Sequence, residues 1–281
     1  MECELDRLTI HYETFGEGIP LLVLHGVGLD RGAAIYEFEP VMANRGEWRR
    51  IYVDLPGHGE TPGPAWLTGI DALLDLLVEF VDKVVGDERL VVAGSSFGGY
   101  LARGLVHRMP QRLDGVCLIV PSVIHMRNVV PSRTVIAGAD QMERTAKERD
   151  WPWYAALAVT DEPSTREYVD ALSRTTSDPA YSTRLNSLDA AARFELGHLP
   201  APFPAPALIL TGRQDHMVGY RDAWRVSSSY PRATFAVLDR AGHFLRGEQP
   251  RLFSALVGEW LSRVEEWVGD RPADRPDPGW P

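Results

Sequence analysis

Five short apolar runs punctuate the chain: Leu21 to Leu24, Ile51 to Val53, Leu90 to Ala93, Val116 to Val120 and Ala207 to Leu210. Runs this short, with no polar alternation, predict strands of a parallel sheet buried on both faces. Between them the period lengthens. Ile70, Leu73, Leu74, Leu77, Val81, Val84 and Val85 recur at three- and four-residue steps and end at Gly86, which predicts a helix over 69–85. A second helix is expected over 97–109, ending before Pro110. A third is expected over 250–268, with Leu252, Phe253, Leu256, Trp260 and Val264 on one face. Residues 3–15 alternate loosely and close on Gly16-Glu17-Gly18, the pattern of an antiparallel strand paired with the next strand or one near it. Strands alternating with helices imply an α/β fold, a mostly parallel central sheet flanked by helices.

The alternation breaks over 122–204, where the text turns polar and helix-like and closes on Leu199-Pro200-Ala201-Pro202-Phe203-Pro204. The chain therefore divides into a core domain of residues 1–121 and 205–268 and a helical excursion between late strands, with the character of a cap or lid. Residues 269–281, rich in Pro and Asp, read as a solvated, disordered tail.

Composition narrows the function. The 44% hydrophobic and 24% charged content of the 281 residues exclude a disordered, collagenous or coiled-coil chain. A formal charge of −10 disfavours nucleic acid and anionic membrane surfaces and leaves a small-molecule substrate as the expected partner. Cys3 and Cys117 are too few for a disulfide framework or a thiolate metal site. The N-terminal residues are charged where a leader would need an apolar core, and no apolar stretch approaches about 18 residues, so a cytoplasmic location is expected. No H-E-x-x-H, C-x-x-C or phosphate-binding glycine motif is present, so neither metal nor cofactor is expected.

The chemistry concentrates at Gly94-Ser95-Ser96-Phe97-Gly98, a G-x-S-x-G between an expected strand and an expected helix. A serine on so sharp a turn needs small neighbours two residues to either side, because side chains there would strike the adjoining strand and helix. Three further segments follow expected strands: His25-Gly26-Val27-Gly28, Asp54-Leu55-Pro56-Gly57-His58-Gly59, and the late pair Gly212-Arg213-Gln214-Asp215 and Ala241-Gly242-His243. With these motifs the chain resembles a serine member of the α/β-hydrolase superfamily from about residue 8 to residue 268.

Serine is a weak nucleophile; it needs a base in reach, and the base an orienting carboxylate. The resemblance implies the chain order serine, acid, histidine, which Ser96, Asp215 and His243 obey. Of the eight histidines, His11, His25, His58, His107, His125 and His198 do not follow the last strand, and His216 would compete with Asp215 for one place. Some members carry the acid after an earlier strand, near Ser122 here, but no carboxylate stands there until Asp140. The same resemblance makes the backbone N–H groups of Val27 and Phe97 the expected oxyanion donors, and His25 a brace for its loop. Trp151, Trp153, Tyr154 and Val218 are candidates for a substrate pocket, with packing as the competing role.

The expected activity is hydrolysis of an ester, or related acyl bond, of a small, largely apolar molecule through an acyl-enzyme. A lactone, a thioester or a β-diketone-like carbon–carbon bond would use the same machinery. A lyase or perhydrolase on this scaffold, and a non-catalytic small-molecule receptor, are the remaining readings.

Overall fold

The computed structural model describes residues 1–43, 45–123, 130–138, 151–160, 162–182 and 199–270. Strands β1 (Glu2–Glu4), β2 (Thr9–Phe15), β3 (Ile19–Leu24), β4 (Trp48–Val53), β5 (Leu90–Ser95), β6 (Leu113–Ile119), β7 (Ala207–Gly212) and β8 (Ala233–Leu238) form one sheet in the order β1-β2-β4-β3-β5-β6-β7-β8. Six of them, β3 to β8, run parallel. The N-terminal strand is antiparallel as expected, but its partners are β1 and β4, and β3 lies beyond β4.

Every apolar run falls in a strand, with one correction. Val120 leaves β6 with φ at 39°, a left-handed conformation uncommon for a β-branched residue, while its N–H donates to Leu210 O at 2.7 Å.

Alternation along the strands sorts the core into two layers. Leu22, Leu24, Val92 and Leu118 face helices α2 (Ile70–Val84) and α3 (Phe97–Arg108). Leu21, Val23, Val91, Ala93, Cys117 and Ile119 face the opposite side, where α1 (Arg31–Met42) and the C-terminal helix pack, the latter spanning Pro250–Gly269. That last helix buries Phe253, Val257, Trp260, Leu261 and Val264, whereas Leu252, expected on the same face, is 48% exposed.

Helix α1 has no counterpart in the sequence reading. Its apolar residues do not gather into a stripe, and Pro40 stands inside it. It forms because Asp30 caps it, its carboxylate accepting from Gly32 N at 2.9 Å, and because Ala34, Phe38 and Met42 bury against the sheet.

Between β6 and β7 the described residues include helices α4 (Trp151–Ala155) and α5 (Pro163–Leu172). Tyr154, Ala156, Leu157, Tyr168, Val169 and Leu172 form an apolar cluster with Leu29, Ala33 and Phe244. The expected tail, from residue 271 onward, lies outside the described residues. Among the described residues no helix is long and apolar enough to cross a membrane.

Candidate active site

The loops after β3, β5, β7 and β8 converge at the carboxyl edge of the sheet, where open parallel sheets place their ligand crevices. Ser96 occupies the turn between β5 and α3 with φ at 55°. Its N–H donates to Ile119 O at 2.9 Å, and its carbonyl accepts from Tyr100 N and Ser122 N, both at 3.1 Å. These bonds overdetermine a conformation that L residues avoid.

The flanking glycines are required by contact. A Cβ on Gly94 would lie 2.2 Å from Gly98 O, and one on Gly98 would lie 2.1 Å from Leu24 O.

Asp215 follows β7 and is fully buried. Its Oδ1 accepts from Met217 N at 2.9 Å and Val218 N at 3.0 Å; its Oδ2 lies 2.9 Å from His243 Nδ1. Burial pushes the Asp215 carboxyl up, but the facing His243 and the two backbone N–H groups outweigh it and hold the group below its ordinary value. Burial pushes His243 down, and Asp215, with smaller contributions from Glu248 and Glu37, carries it above the ordinary histidine value. Ser96 and His243 line one cavity of about 470 Å³. No hydrogen bond joins their side chains in this geometry; such bonds often form only once substrate is bound.

The loop after β3 is braced by two histidines. Leu55 N donates to His25 Nε2 at 3.0 Å, which puts the ring proton on Nδ1, 2.8 Å from Gly26 O. Gly28 N donates to His58 Nε2 at 3.1 Å, and His58 Nδ1 lies 3.0 Å from Pro56 O. Both rings must stay neutral to accept these bonds. Burial, with His58 nearby, lowers His25 to about 3, and burial lowers His58 as well. Val27 sits between the two braced glycines on the cavity wall, and Phe97, at the start of α3, lines the same cavity.

Of the pocket candidates, Trp153 and Val218 line the cavity. Tyr154 does not; it is buried in the apolar cluster formed with α5. Trp151 opens α4, and its side chain lies outside the described residues.

Several wall residues were not anticipated: Ser95, Ser122, Tyr168 and above all Glu37. Glu37 belongs to α1, the helix the periodicity missed, so no pattern marked it as inward-facing. Behind His243, Glu248 of the short helix α6 (Leu245–Glu248) is also buried. Its Oε1 accepts from Ala158 N at 2.5 Å and Val159 N at 2.9 Å, and its Oε2 accepts from Gly242 N at 2.7 Å. His243 N donates in turn to Ala156 O at 3.1 Å, so residues 156–159 are tied to the histidine loop.

The comparisons with known proteins agree with this architecture. Residues 21–256 match the model of the alpha/beta hydrolase family. The chain is 27% identical over 261 residues to a pimeloyl-[acyl-carrier protein] methyl ester esterase of Aeromonas hydrophila, spanning 90% of this chain and 100% of that protein. It is 26% identical over 269 residues to a 2-hydroxy-6-oxononadienedioate/2-hydroxy-6-oxononatrienedioate hydrolase of Paraburkholderia phymatum, covering 92% of each. An alpha/beta superfamily hydrolase from Oenococcus oeni superposes with a TM-score of 0.83 at 24% identity, over 94% of this chain and 99% of that one. The chain belongs to the alpha/beta hydrolase family and is a hydrolase.

Proposed function

We propose that the protein hydrolyses a carboxylic ester, or a closely related acyl bond, of a small and largely apolar molecule. His243 removes the proton of Ser96, whose oxygen attacks the acyl carbon; the alcohol leaves with that proton, and an acyl-enzyme remains. Water deprotonated by the same histidine releases the acid and restores Ser96. Asp215 holds His243 in the tautomer that presents Nε2 and stabilises the imidazolium. The N–H groups of Val27 and Phe97 receive the oxyanion; loss of one such donor typically costs about 10²- to 10³-fold in rate. The excursion of residues 122–204 serves as a cap, from which Trp153 and Tyr168 wall the cavity and enclose the substrate.

The observation that carries this reading is the buried Asp215–His243 pair at 2.9 Å, opening onto the cavity that holds the strained Ser96. Both curated relatives are named as hydrolases, one of a methyl ester and one of a dioate.

The test is intact-protein mass spectrometry after treatment with a small fluorophosphonate, followed by peptide mapping and p-nitrophenyl ester assays. A single adduct on Ser96, with ester turnover abolished by Ser96→Ala at unchanged thermal stability, is expected. A fully active Ser96→Ala variant overturns the assignment of Ser96, and a wild-type protein that is neither modified nor active leaves a small-molecule receptor as the better reading.

A further inference from the structure

Glu37 is the cavity-wall group that the proposed reaction does not use. The residue is buried, with 6% of its surface exposed. Its Oε2 accepts the Ser95 hydroxyl at 2.6 Å, one residue before the nucleophile. Among the described residues no ion pair reaches this carboxyl. The nearby Arg246 donates its Nε to the Glu37 backbone carbonyl at 3.3 Å, and its guanidinium lies beside the Tyr36 and Phe253 rings.

A buried carboxyl with no ion pair of its own is costly even with Arg246 and His243 nearby, and an apolar side chain of similar size would remove that cost. The surrounding walls are otherwise mostly apolar, with Leu29, Ala33, Ala34, Trp153 and Phe244 among them. A strong acceptor set into such a wall has no partner assigned to it in the fold beyond Ser95 and the neighbouring Tyr168 hydroxyl. The cavity itself is where a further donor would stand.

Resting on the hydrolytic reading above, we propose that Glu37 is a specificity-determining residue that accepts a hydrogen bond from an uncharged donor on the substrate, a hydroxyl or an amide N–H. Substrates carrying this donor in the acyl or alcohol part are preferred over their all-carbon counterparts, and substrates carrying a carboxylate there are rejected. Burial raises Glu37 to about 7, so near neutrality a large share of the molecules carries the ionised acceptor, and a carboxylate placed beside that form meets repulsion.

The experiment compares kcat/KM for methyl hexanoate, its α-, β- and ω-hydroxy derivatives and monomethyl adipate, in the wild-type protein and in Glu37→Gln and Glu37→Leu. Each preference is a ratio of two esters on one enzyme, so a general loss of activity cancels. Fluorophosphonate titration of Ser96 counts competent sites in each variant. Wild-type protein is expected to favour at least one hydroxy ester over methyl hexanoate by about tenfold, the scale of one charge-assisted hydrogen bond, and to turn over monomethyl adipate least. The hydroxy preference should fall several-fold in Glu37→Gln, which keeps the shape and a weaker acceptor, and vanish in Glu37→Leu. Equal ratios in wild type and Glu37→Gln, with Ser96 still labelled, overturn the Glu37 assignment alone. Absence of both labelling and turnover in the wild type overturns the hydrolytic reading, and this inference with it.

Discussion

His243 is held by Asp215 so that one ring nitrogen is committed and the other is free to act. Asp215→Asn keeps the shape but stabilises the wrong tautomer, so kcat is expected to fall about 10³- to 10⁴-fold with little change in KM, measured on a p-nitrophenyl ester. Because Asp215, Glu248 and Glu37 together raise His243 despite its burial, the acid limb of the kcat/KM profile should have its midpoint above the ordinary histidine value. Glu37 makes the opposite demand on stability. It binds its proton more tightly folded than unfolded, so it favours the folded chain below the ordinary glutamate value of 4.5, and that contribution is lost as pH rises through about 7. Glu37→Gln is therefore expected to raise the melting temperature at pH 8, by up to about 3 kcal/mol of stability, with the gain shrinking towards pH 5. No gain at pH 8 would mean that burial does not destabilise the ionised carboxyl. Trp153 and Tyr154 stood together as wall candidates and only Trp153 lines the cavity, while neither Glu37 nor Tyr168 was legible, since inward orientation is set by packing.

The elements around the site tolerate little change. Gly98 lies where α3 approaches the end of β3 so closely that an added methyl group would meet backbone oxygen rather than a flexible side chain. Gly98→Ala should cost about 3 kcal/mol or more, read as a lowered denaturant midpoint with an unchanged slope. Glu248 ties three backbone N–H groups from two segments, residues 158–159 and the histidine loop. Glu248→Ala orphans these donors, and a loss of about 3 kcal/mol is expected, together with faster proteolysis between residues 151 and 182. Cleavage at the wild-type rate would show that the tie does not hold that segment. At this scale the strongly periodic elements, α2, α3 and the Pro250–Gly269 helix, were readable from sequence to within a residue or two. Helix α1 was not, because its stability comes from an Asp30 cap and from burial of Ala34, Phe38 and Met42 rather than from an amphipathic stripe.

Across the whole molecule, an eight-stranded sheet covered on both faces leaves its carboxyl edge as the place where loops distant in sequence meet. Ser96, Asp215 and His243 reach it from three strands, and Val27 from a fourth. What the sequence determined by itself was the set of parts that local rules govern: strands apolar on both faces, helices with a 3.6-residue stripe, and the glycines that bracket Ser96. Those signals lie within a few residues of one another, so they survive in one dimension. The tertiary structure alone decided what depends on neighbours far along the chain. It paired β2 with β4 rather than β3, buried Tyr154 while leaving Trp153 on the wall, and locked His25 and His58 as neutral braces. It also buried the Glu37 carboxyl beside the Ser95-Ser96 turn without an ion pair among the described residues, because burial and desolvation are properties of a closed surface, and that surface exists only once the distant segments have packed.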